Sequence, residues 1–220
     1  MIALGLGLVV VLAAVPLLAD RIKAASGGVS ARFTTARADT AAGAAAAGAD
    51  TRGRDVLTYR VQVEEGTGLD AEHEARTVHE VLTDPRGWTA DGEVAFVPSD
   101  SAAADLSVKI ATPATVDLLC GRAGLDTGGE VNCRVDNDVV VNLKRWTSGS
   151  PQFPGPIEEY RALIVNHEVG HRLGRGHETC PRAGAPAPVM MQQIKGLEGC
   201  VANAWPYDAD GRYMGGPPVP

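Results

Sequence analysis

Three of the chain's five histidines fall in the stretch VNHEVGHRLGRGH, residues 165–177, with a glutamate directly after the first of them. On a helix over residues 157–173, His167 and His171 stand four apart and project from one face, about one turn from each other. Two imidazoles so placed can share one metal ion. Glu168, one position along, can reach a water on that ion without taking a coordination position, which divides the work between two ligands and a general base. Gly174 can adopt the positive φ that ends a helix sharply, and the turn after it lets His177 return to the same ion. Three nitrogens with the fourth position left to water describe an open, catalytic kind of zinc site, whereas a structural site is filled by protein. His73 and His79 lie on an earlier helical segment without this pattern and are read as surface or packing residues.

Read as a whole, HEVGHRLGRGH resembles the long zinc signature of the metzincin metallopeptidases, HExxHxxGxxH, at every fixed position. The resemblance implies a zinc-dependent endopeptidase with one Zn2+ per chain, ligated by His167, His171 and His177, with Glu168 as the catalytic base and Gly174 shaping the turn. It also implies a tight methionine turn beneath the metal. PVMMQQ (188–193) offers Met190, which follows an apolar residue, with Met191 as the alternative. The implied fold is α/β (α+β): a twisted, mostly parallel five-stranded sheet with one antiparallel edge strand, an active-site helix and a small C-terminal subdomain. The edge strand would be Val131 to Val135, rimming the cleft and pairing with the backbone of a peptide or protein substrate, with a parallel partner near Val139 to Leu143. Two features depart from the pattern. Gln192 or Gln193 stands where some metzincins carry a tyrosine as an extra ligand, and no cysteine-bearing propeptide switch is visible before the domain. The wider sequence from RTVHEVLTDPRGW to GCVANAWPY is also similar to an actinobacterial domain family of unassigned function, over about Val56 to Tyr207.

The elements needed to position such a site are visible as patterns. VLTYRVQVEE (56–65) alternates apolar and polar residues as a half-buried strand does. LDAEHEARTVHEVLTD then gathers Leu69, Ala75, Val78, Val81 and Leu82 near one helical face. EVAFVP and DLSVKIAT are two further strands. VNCRVDNDVVVNLKRW reads as a hairpin turning at Asp136 and Asn137, and IEEYRALIVNHEVGHRLG is the longest helical pattern in the chain. Trp205 and Tyr207 are candidates either to line a pocket or to pack beneath the methionine turn.

Outside that domain, Ile2 to Ala19 is an uncharged apolar run, long enough for a membrane anchor and longer than a usual signal-peptide core. Residues 1–23 are therefore expected to anchor the chain to a membrane, or alternatively to be cleaved after export. Arg21 and Lys23 follow the run while almost nothing basic precedes it, so a basic leader is expected upstream of Met1. Residues 24–53, rich in Ala and Gly, read as a flexible linker, residues 54–210 as the zinc domain and 211–220 as a Pro/Gly-rich tail.

The chain's formal net charge is −7, and the first 53 residues contribute +2, which leaves −9 for the rest. An acidic domain without a basic patch excludes nucleic acid as a partner. Cys120, Cys133, Cys180 and Cys200 form no CxxC pair, so disulfides in an extracytoplasmic compartment fit better than a thiolate zinc site. Three connectivities are possible, the local one requiring the shortest loop closures. A monomer is expected. The two rival readings are a non-catalytic, zinc-bearing surface module and a zinc hydrolase acting on a non-peptide amide or ester.

Overall fold

A computed structural model of the chain describes residues 31–39 and 51–219. The apolar segment expected over 1–23, and much of the expected linker, lie outside the described residues. Among the described residues no helix is long and apolar enough to cross a membrane.

The sheet is built on β2 (Asp55–Glu64), a ten-residue strand whose Tyr59, Val61 and Val63 point into the core. Its alternation buries one face, as the sequence pattern requires. β4 (Leu106–Ala111) pairs parallel to β2, β6 (Asp138–Asn142) parallel to β4, and β5 (Cys133–Val135) antiparallel to β6. At the other edge β2 is shared. β3 (Val94–Pro98) runs parallel along Asp55–Tyr59, and β1 (Phe33–Thr35) runs antiparallel along Gln62–Glu64.

Two expectations are corrected here. The sheet has six strands instead of five, in the order β1-β2-β4-β6-β5 with β3 beside β2, and it carries two antiparallel pairings instead of one. The extra strand comes from the segment read as flexible linker. Because β3 covers only the first half of β2, the backbone of Gln62–Glu64 needs partners, and three residues supply them. The Gln62 side chain adds a hydrogen bond to the Thr35 hydroxyl at 2.9 Å.

Helices cover both faces. α1 (Ala71–Thr83), whose N-cap Asp70 accepts from the His73 N–H at 2.7 Å, packs with α4 (Ile157–Arg172) over one face. α2 (Pro113–Gly121) covers the other, in a smaller cluster of Ala111, Val116, Cys120, Cys133 and Val140. Val139 and Val141 of β6 belong to the first cluster and Val140 to the second, which explains the unbroken VVV of a strand buried on both sides.

The hairpin turns at Asp136 and Asn137 as expected, Asp136 taking φ 52°. It ends sooner than expected, because the Asn142 side chain accepts from the Lys144 N–H and starts the short α3 (Leu143–Ser148). α3 buries Trp146, whose indole N–H donates to Glu74 at 2.8 Å.

Both disulfides are local, Cys120 to Cys133 and Cys180 to Cys200. The first joins the end of α2 to the start of β5 and closes the loop between them. The Pro/Gly-rich tail, through Val219, folds back on the domain, with isolated bridges Tyr207 to Tyr213 and Glu178 to Pro218.

Replacing both Cys120 and Cys133 by alanine is expected to cost about 3 kcal/mol, the loop-closure entropy of a bridge of this span. Urea denaturation of the oxidised chain and the variant would measure it, and equal midpoints would contradict it.

Candidate metal centre

α4 carries His167 and His171 on the face that opens to the cleft. The helix ends at Leu173 in two hydrogen bonds, Gly174 N–H to His171 O at 3.1 Å and Arg175 N–H to Gly170 O at 2.9 Å. This is the Schellman pattern, and it needs a residue with positive φ, which Gly174 supplies at 81°. The turn does a second job. It brings Arg175 O to 2.9 Å from His171 Nδ1. His167 Nδ1 meets Val189 O at 2.8 Å in the same way. A carbonyl can only accept, so each Nδ1 carries the proton and each Nε2 keeps its lone pair for the cleft.

His177 arrives from the loop beyond Gly174, its Nε2 3.1 Å from His171 Nε2. One ligand nitrogen from each of the three rings lies within 4.8 Å of the others. A tetrahedral zinc with Zn–N bonds of about 2.0–2.1 Å needs nitrogens roughly 3.3 Å apart; the His171–His177 pair stands near that separation and the three-nitrogen donor set could hold one such ion. Burial pushes the His167 imidazolium pKa down to about 3, with the charge of His171 adding to the effect. Burial also lowers His171 and His177. All three rings are thereby held neutral at pH 7, as metal ligation requires.

Glu168 is buried beside them, 6% exposed. Desolvation raises its carboxyl pKa to about 8, opposed by the positive charge of Arg134 across the cleft. The cleft holds about 780 Å³. Its floor is α4, one wall is β5 with the loop before it, and the other wall is the segment Met191–Lys195. The expected edge strand is shorter than read, with only Cys133–Val135 paired, while Val131 and Asn132 line the cleft as loop.

Met190 and Met191 occupy different places. Met190 is fully buried beneath α4, and a Cβ on Gly170 would run into its sulfur and come 2.8 Å from Trp88 Cζ2. Met191 belongs to a separate cluster with Ala185, Ala187 and Cys200 and reaches the cleft wall. The residue beneath the helix is therefore Met190. Gln193 is 1% exposed, its amide donating to Pro188 O and Asn203 O, so it braces the lower segment and is not free to reach the histidines. Trp205 and Tyr207 pack and do not line the cleft: Trp205 donates to Glu159 under the Arg86 guanidinium, and Tyr207 donates to Asp91. His79 hydrogen-bonds to the Tyr59 hydroxyl and His73 is exposed, both away from the cleft.

Sequence reasoning missed three contributors. Gly170 lay in plain view as a glycine inside a helical pattern, which costs up to about 1 kcal/mol against alanine and so signals a packing need. Trp88, which fills that need and donates to Asn166 O at 2.8 Å, comes from a loop no pattern could place. Arg134 faces the cleft only because of the hairpin's register.

The described chain is thus a mixed α/β protein with a mostly parallel sheet and a three-histidine centre at one sheet edge. It belongs to the family described as Protein of unknown function (DUF3152), whose model matches residues 26–210. The match begins well before Val56 and takes in β1. No curated protein and no solved structure matches the chain.

Gly170→Ala reverses the usual sign of a helix glycine. At an unencumbered site the change would stabilise by roughly 0.4–1 kcal/mol. Here it should destabilise by about 1–3 kcal/mol through overpacking against Met190 and Trp88. Chemical denaturation decides between the two signs.

Proposed function

We propose that this chain is a zinc-dependent endopeptidase of metzincin type, acting on an extracytoplasmic protein or peptide. The observation that carries the reading is a buried glutamate beside three converging, neutral histidines at the floor of a cleft rimmed by an edge strand. His167, His171 and His177 would hold the ion. A zinc ion bound there supplies Lewis-acid polarisation of a carbonyl and acidifies water to a pKa of about 7. Glu168 accepts the proton from the attacking water and passes it to the leaving amine. Arg134 favours the ionised Glu168 that begins the cycle, and burial favours the protonated form that ends it. The free edge of β5 would pair with an extended substrate backbone. The two disulfides support an oxidising, extracytoplasmic location, to which an N-terminal anchor, or a cleaved signal, would deliver the domain as a monomer.

The test is metal content and peptide-library cleavage on the full, oxidised chain beside Glu168→Gln. One zinc per chain in both proteins is expected, with cleavage about 10²–10⁴-fold slower in the variant. Full activity in the variant would sink the mechanism. Zinc bound with no cleavage in either protein would favour the binding module or a non-peptide substrate.

A further inference from the structure

His167 and His171 are fixed twice, by the helix and by a carbonyl at Nδ1. His177 has no helix beneath it, and its anchoring is through the main chain. Val219 N–H donates to His177 O at 2.9 Å, Thr179 N–H donates to Pro217 O at 2.8 Å, and Glu178 bridges to Pro218 between them. On its other side the same segment is held by Glu178 N–H donating to Met190 O at 3.2 Å. The segment that carries His177 is therefore a short extended strip, with the methionine turn along one edge and residues 217–219 along the other.

The side chains repeat the arrangement. The Glu178 carboxylate accepts from the Tyr213 hydroxyl and from the Gly216 N–H, each at 2.9 Å. The Arg175 guanidinium, on the residue whose carbonyl orients His171, lies over both the Trp88 and Tyr213 rings, 5.7 and 5.6 Å from their centroids. Gly216 allows the close approach, since a Cβ there would collide with Thr179 O and meet Pro188 Cγ at 2.9 Å. A hairpin contact, Met214 N–H to Pro206 O at 2.7 Å, sends the chain back toward the site.

We propose that residues 213–219 are a strap that positions His177 as a metal ligand, with Tyr213 and Gly216 as its positioning residues. This rests on the metal-binding part of the function proposed above and is independent of what is cleaved. Without the strap, His177 hangs from one edge only, and the third nitrogen loses its fixed place relative to the other two. Contacts that orient metal ligands typically carry about 10–100-fold in metal affinity.

The experiment measures zinc affinity by chelator competition on the full, oxidised chain, and metal-free unfolding midpoints in parallel, for Gly216→Ala, Tyr213→Phe, His177→Ala and the double variant Gly216→Ala with His177→Ala. Gly216→Ala should weaken zinc binding about tenfold or more and Tyr213→Phe by less. In the His177→Ala background, Gly216→Ala should have no further effect, because the two act through one ligand. An equal loss in both backgrounds, or unchanged affinity in both single strap variants, overturns the strap. Should Gly216→Ala fail to fold, Tyr213→Phe alone still decides. Wild-type chain that binds no zinc overturns the strap together with the proposed function, whereas tight zinc, the expected strap pattern and no peptide cleavage leave the strap standing and remove the peptidase.

Discussion

The contact between α4 and the segment below it, made where the Met190 sulfur and the Trp88 ring reach the backbone of Gly170, sets the spacing on which the whole centre depends. A side chain larger than hydrogen at that position would push the segment away. Val189 O would then leave His167 Nδ1, and Met190 O would leave the Glu178 N–H that steadies the strip carrying His177. Two of the three histidines are thus oriented through the same close approach, one directly and one through its neighbour. The Cys180 to Cys200 bridge encloses the turn and keeps that lower segment from drifting. Gln193 and Asn203 knit its two sides together with four main-chain hydrogen bonds from their amides.

The sheet supplies the other half of the cleft. Parallel pairing from β2 through β4 to β6 carries the buried layers, and on the cleft side of the sheet the chain reverses into antiparallel pairing at β5, where a wall beside α4 is needed. The Cys120 to Cys133 bridge ties that wall to α2 on the opposite face, so the loop lining the rim closes between two fixed points. The large core and the small cluster behind the sheet therefore meet at β6, whose three valines alternate between them.

Much of this was legible in the sequence because it is local. The 3.6-residue period placed α1 and α4, the two-residue period placed β2, and fixed spacing brought His167, Glu168, His171 and His177 together. What stayed hidden depends on partners distant in the chain. Phe33–Thr35 has no strand signature of its own and pairs only because β2 outruns β3. α3 was read as strand because Asn142 fits a strand end as well as an N-cap. GGPPVP reads only as a Pro/Gly-rich tail, because nothing in those six residues announces that Gly216 must pass under Thr179. Met190 is favoured over Met191 in the sequence only by the residue before it, and the two take distinct places once the helix is above them.

β5 has three residues. Under the proposed function, an incoming chain would find only a few main-chain donors and acceptors there, and such a ladder holds almost as well after a two-residue slip. Backbone pairing alone would thus leave the frame of a bound chain undetermined, and the choice of which bond faces Glu168 would pass to the side chains of the cleft. Tyr160, Leu163 and Ile164 from α4, with Ile194 opposite, offer an apolar seat, while Arg134 and Lys195 offer charge from opposite walls. A protein with so brief an edge would read its ligand as a lock reads the teeth of a key rather than the length of its shaft.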